Sequence, residues 1–188
     1  MSHFTTISSE IKDLEALTEA AKKMGFEVER DAKCRYYYGA ERKDFVIKLP
    51  GSYDIAATEK NGTYKLEADF FNGYVSKYVG NDGSKLLQQY TVEKAKIEAF
   101  QKGLNVTEEE KGNTIILTLT DQDTGGQIVI ECYPGGNSQV RTQGFAGQSC
   151  MKFRDIEEAL GHTEKITPTD EIYLPETDTA VEVVGNSY

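Results

Sequence analysis

The sequence predicts an α+β protein: an antiparallel sheet with two long helices, followed by a small C-terminal β-hairpin–helix unit. Three observations predict it. Apolar residues recur at helical spacing in two stretches, residues 11–24 and 84–102. Short alternating segments lie between and after them, separated by glycine, proline and Asn-Gly turn signals. Near the far end, a hairpin runs through the corner Gly144-Phe145-Ala146-Gly147-Gln148-Ser149-Cys150 into a helical pattern that stops at Gly161.

In chain order, residues 3–6 read as an opening strand, and Ser8-Ser9 offers helix-capping oxygens. Ile11, Leu14, Leu17, Ala21 and Met24 form one helical stripe, which Gly25 terminates in the left-handed conformation. Residues 26–29 alternate as a strand. Further strands are expected over 34–38, 45–49, 53–58 and 63–70. Asn61-Gly62 is the strongest hairpin signal, because both turn residues must accept positive φ. A second long helix follows Asn81-Asp82-Gly83, with Leu86, Leu87, Tyr90, Ala95, Ile97 and Phe100 as its apolar positions and Gly103 as its end. A strand pair around Lys111-Gly112-Asn113 closes this part.

The expected organisation is an α+β domain over 1–122, a linker at 123–126, a small ββα unit over 127–167 and an acidic, partly disordered tail over 168–188. At its size the ββα unit buries too little apolar surface to stand alone and should dock on the first domain or on a partner.

At 188 residues, with 38% hydrophobic and 10% aromatic residues, the chain has the composition of a globular protein. The net charge of -10 argues against general nucleic-acid binding, which needs a basic footprint. Half of that excess, -5, lies in residues 164–188, where Lys165 stands alone against six acids. No apolar run reaches the roughly 20 residues of a membrane helix. The start of the chain has no secretory pattern, and three widely spaced cysteines suggest free thiols. The compartment expected is the cytoplasm, or an equivalent organelle interior.

Two stretches carry a resemblance. Met1-Ser2-His3-Phe4, Met24-Gly25, Tyr53-Asp54-Ile55, and Tyr64 leading to Ala68-Asp69-Phe70-Phe71 resemble the hypothetical chloroplast reading frame thirty-five family of cyanobacteria, red-algal plastids and other bacteria, a domain of unknown function. Here Asp54-Ile55-Ala56-Ala57 replaces the usual Asp-Ile-Gly-Phe, and Phe70-Phe71 stands where tryptophans are common. Tyr133-Pro134-Gly135-Gly136, residues 140–142, the corner at 144–150 and residues 157–161 are similar to a second small family of unknown function. The resemblance implies two modules that are usually neighbouring genes, sometimes near an AAA+ ATPase, and here fused. It implies no established activity or catalytic residue.

The chemistry open to the chain is limited. Cys150 at a helix start has a thiolate favoured by the helix dipole, but the commoner reading is a packed thiol with Ser149 as cap. Gly144 and Gly147 can present backbone N–H groups to an anion, with Arg141 and Lys152 nearby, and a tight structural turn is the simpler alternative. Phe145 belongs to the same candidate surface. Asp54, Glu67 and Asp69 are acids that can frame acid–base chemistry, though strand acids are usually solvated. Tyr36-Tyr37-Tyr38 among basic residues can stack single-stranded nucleic acid, while tyrosines alternating on an amphipathic strand are commoner. No residue set implies a cofactor, and no cluster implies a metal. The leading expectation is a non-enzymatic adaptor that holds a protein partner, with an AAA+ ATPase implied by the resemblance. Tyr173, between Ile172 and Leu174 in the tail, is its candidate anchor. The alternatives are anion or nucleic-acid binding at the 144–150 corner or the tyrosine strand, and then a thiol-based redox sensor or enzyme.

Overall fold

Helix α1 (Leu14–Lys23) starts where Asp13 supplies a side-chain oxygen. Its Oδ1 accepts from the N–H groups of Glu15 and Ala16 at 2.8 and 3.2 Å. The computed structural model containing it describes residues 3–9, 11–143 and 154–168. Ser8 and Ser9, expected as caps, lie instead in strand β1 (His3–Ser9). Pairing of Ser8 and Ser9 with β10 holds that backbone extended, so the cap falls to Asp13 further along the chain. Ala16, Leu17, Ala20 and Ala21 are buried. Gly25 ends the helix at φ 83, with Phe26 N–H donating to Ala21 O.

Strands β2 (Glu27–Tyr36), β3 (Gly39–Lys48), β4 (Ile55–Lys60) and β5 (Thr63–Ala68) form an antiparallel sheet in that order. The separate strands expected over 26–29 and 34–38 are one strand, because the ladder continues from Glu27↔Lys48 to Tyr36↔Gly39. Nor do the three tyrosines share a strand. Tyr36 closes the ladder, and Tyr37 and Tyr38 are the two-residue turn. Asn61 (φ 55) and Gly62 (φ 79) make the hairpin between Lys60 and Thr63 that their sequence signals.

The β2–β3 ribbon bends at Asp31, which has φ 48. Before the bend, Phe45 and Ile47 face α1 in the main core. Beyond it, Cys34, Ala32 and Tyr36 pack on Val46 and Ala56, the opposite face of the same sheet. The far half of the ribbon is thus folded back over the sheet. Strand β3 shares only Val46↔Ala56 and Ile47↔Ile55 with β4.

A short helix, α2 (Ser76–Val79), and a turn at Asn81–Gly83 lead into α3 (Ser84–Gln101), the long helix of the fold. Its apolar residues point two ways. Leu86 and Tyr90 join the core under the four-stranded sheet, whereas Val92, Ala95 and Ala99 join a second core. Phe100, expected in the stripe, is 85% exposed, since neither core lies on its side.

The second core underlies a six-stranded antiparallel sheet of order β10-β1-β9-β8-β7-β6. It comprises β6 (Asn105–Lys111), β7 (Thr114–Thr120), β8 (Gln127–Cys132), β9 (Ser138–Gln143), β10 (Gly161–Pro168) and β1. Two sheets therefore replace the single one expected, because α3 is apolar on two sides and supports both. The second of the two helices expected to be long, α1, has ten residues against 18 in α3. Helix α4 (Arg154–Leu160) stops at Gly161, and the next residue pairs open β10, which had no sequence signal.

Candidate functional site

The far half of the β2–β3 ribbon is clasped in place by Asp54, which is fully buried. Arg35 Nε and Nη2 donate to its two oxygens at 2.8 and 2.6 Å. Backbone N–H groups of Arg35 and Leu49 donate to the same carboxylate, as does Lys48 Nζ at 3.2 Å. Arg35 also reaches Leu49 O, and Lys48 reaches Lys33 O. Burial alone would raise the Asp54 pKa, but the hydrogen bonds from Arg35, Lys48 and Leu49 together hold it below its ordinary value. A carboxylate held ionised in this way is unsuited to proton transfer near neutral pH. Asp54 is a structural pin.

The other two acids are also engaged. Glu67 accepts from Lys43 Nζ at 3.0 Å, and Asp69 accepts from Tyr37 N–H at 3.1 Å. This last bond fixes the turn, and the clasp at Arg35 fixes the strand leading to it. The outcome is a surface of tyrosines. Tyr37 is 56% and Tyr38 96% exposed, with rings edge to face at 4.7 Å. Tyr53 and the 41% exposed Tyr74 stand in the same arrangement at 5.4 Å. The Tyr53 pKa is raised, first by loss of solvent and then by Asp69, Tyr74 and Tyr37, so both tyrosine pairs share one neighbourhood. Lys77 Nζ lies 4.8 Å from the Tyr78 ring centre and 6.0 Å from that of Tyr74. A cleft of about 360 Å³ opens beside Tyr38, lined by Tyr36, Glu41, Lys43 and Glu67.

A larger cleft, about 650 Å³, lies at the start of α3 beside Lys85, Gln89, Asn113 and Pro134. Gln88 in its wall donates to Asn113 O and Cys132 O, ties internal to the fold.

Of the residues expected at a binding site, Arg141 is described. It is exposed on β9, with Nη2 3.6 Å from Glu131 Oε1. Gly144, Phe145, Gly147, Ser149, Cys150, Lys152 and Tyr173 lie outside the described residues. The two described cysteines are buried. Burial raises the Cys34 thiol pKa, and burial with Glu108 nearby pushes Cys132 up to about 12, so both are protonated at neutral pH. Among the described residues no group of three or more His, Cys, Asp or Glu is placed to hold a metal ion, and no helix is long and apolar enough to cross a membrane.

Sequence reasoning singled out Tyr37 and Tyr38 but missed Tyr53 and Tyr74. They are distant in the chain, and only the folded-back ribbon brings them together. The Tyr53-Asp54-Ile55 motif marked the pin without revealing its partner, Arg35.

Comparison with known proteins agrees with this two-part chain. Residues 20–120 match the family described as Protein of unknown function (DUF1257). Residues 128–173 match a second family, Protein of unknown function (DUF2997). No curated protein matches the chain. With more than half of its length inside the first match, and the second following directly, the chain belongs to the DUF1257 family and carries a DUF2997 region after it.

Proposed function

We propose that this protein is a non-enzymatic adaptor that holds a protein partner on the tyrosine surface formed by Tyr37, Tyr38, Tyr53 and Tyr74. The observation that supports it is the exposure of Tyr37 and Tyr38 on a rigidly clasped turn, with exposed Tyr74 and half-buried Tyr53 beside it. Tyrosine is enriched at protein interfaces because it offers large amphipathic area at low entropic cost. Asp69, Glu41 and Glu67 beside the tyrosines disfavour a phosphate backbone, so protein is the better-fitting ligand than single-stranded nucleic acid. An AAA+ ATPase, implied by the family resemblance, is the first partner to test.

The test compares the wild-type protein with a Tyr37→Ser/Tyr38→Ser double variant in affinity capture followed by mass spectrometry. Specific protein recovery should fall by about tenfold or more, as expected for aromatic anchors, with the melting temperature unchanged. Equal recovery from both proteins overturns the reading. Recovery of nucleic acid that falls steeply with salt favours the stacking alternative.

A further inference from the structure

The two family regions make one body, and the way they do so defines an interaction surface. Among the described residues, the core beneath the six-stranded sheet has twelve buried members. Val92, Ala95, Ala99, Leu104, Leu117 and Leu119 come from the first region. Ile128, Ile130, Cys132, Val140, Ile156 and Leu160 come from the second. Each region thus supplies half, and among the described residues the buried hydrophobics of the second region belong to no other core.

Backbone pairing is divided in the same way. Strand β8 pairs with β7 over six positions, from Ile115↔Cys132 to Thr120↔Gln127. Strand β1 lies between β9 and β10, so both of its neighbours belong to the second region. Polar ties cross the seam to α3. Gln88 donates to Cys132 O, Thr91 Oγ1 donates to Gly136 O, and Gly135 N–H donates to Ser84 O at 2.8 Å. The covalent crossing, by contrast, is slight. Residues 122–125 are exposed in a turn closed by Asp121 N–H to Gly126 O and Gly125 N–H to Asp121 O.

We propose that the β7 edge and the α3 face of the first region, together with strand β1 that precedes it, form a protein-docking surface whose partner is a β8–β9–α4–β10 unit. That surface works between separate chains as well as within one. It is strand addition made twice: β7 gains a neighbour on one edge, and β1 is clamped from both sides. Without the unit, β1 has no strand partner and β7 is an open apolar edge, which makes the pairing obligatory for a soluble first region. The connecting turn contributes effective concentration and nothing to the contacts.

The experiment replaces Gln122, Asp123, Thr124 and Gly125 in the full-length protein with a protease recognition sequence and cleaves the folded protein. The two fragments should co-elute at the size of the uncut protein and melt in one transition whose midpoint rises with protein concentration. Mixing with isotopically labelled cut protein should give mixed-label pairs by native mass spectrometry. Separation of the fragments, their precipitation after cutting, or two independent melts overturns the proposal. A second measurement does not rely on the altered turn. Residues 1–121 and 126–188 are co-expressed with a tag on one only, and the untagged fragment should co-purify at equal stoichiometry. Its absence from the purified material counts equally against the proposal.

Discussion

Asp54 shows how much can rest on one side chain. Its carboxylate closes five hydrogen bonds from Arg35, Lys48 and Leu49 and ties the folded-back ribbon to the start of β4. Removing one partner of a buried pair costs about 3–5 kcal/mol. Arg35 and Lys48 keep solvent access here, so Asp54→Asn should cost about 2–3 kcal/mol in a urea melt. The pH dependence has a definite sign. The folded-state pKa lies below the ordinary 3.8, so the stability Asp54 contributes is complete above 3.8 and is lost as pH falls through the lower folded value. The stability gap between wild type and Asp54→Asn should therefore hold at neutral pH and close in acid. A constant gap at all pH values would show the charge to be irrelevant. Phe100 is the opposite case. At 85% exposure, Phe100→Ser should change stability by less than about 0.5 kcal/mol. Leu117→Ala in the shared core should cost about 2–5 kcal/mol. Chemical denaturation of both variants checks the contrast.

Elements differ in how far their sequences announce them. Helix α1, the Asn61-Gly62 hairpin, α3 with Gly103 and the β6–β7 pair are local structures: each is set by residues within a few positions of its own turn or cap. They were legible for that reason. The β2–β3 ribbon was broken into pieces by sequence reading because its continuity depends on cross-strand pairing through Asp31. Strand β10 has no apolar alternation to signal it and exists through its pairing with β1. Elements of that kind should not outlast their partners. A peptide of residues 127–161 lacks β7, β1 and α3, and its core residues would have nothing to pack on. It should show no cooperative thermal transition by circular dichroism, and a sigmoidal melt would refute this.

At the scale of the molecule, α3 is the shared support. Leu86 and Tyr90 serve the core beneath the four-stranded sheet, and Val92, Ala95 and Ala99 serve the core beneath the six-stranded one. Tyr90 Oη also accepts from Lys12 N–H at 3.0 Å, and Lys94 bonds Asp13, linking α3 to the start of α1. Neither sheet can lose its packing without stripping one side of this helix. Calorimetry should give one unfolding transition whose van't Hoff and calorimetric enthalpies agree. Two resolved transitions would mean that the cores unfold separately. The sequence by itself determined the α+β class, the glycine ends of α1 and α3 and the Asn61-Gly62 hairpin turn, because glycine C-caps and positive-φ turns are short-range physics. It also carried the marks of both families. Only the tertiary structure decided that there are two sheets, that β1 joins the far end of the chain, and that the Tyr37–Tyr38 turn lies near Tyr53 and Tyr74. Those outcomes depend on apolar faces finding each other across long sequence separations, and no local pattern records which faces will meet.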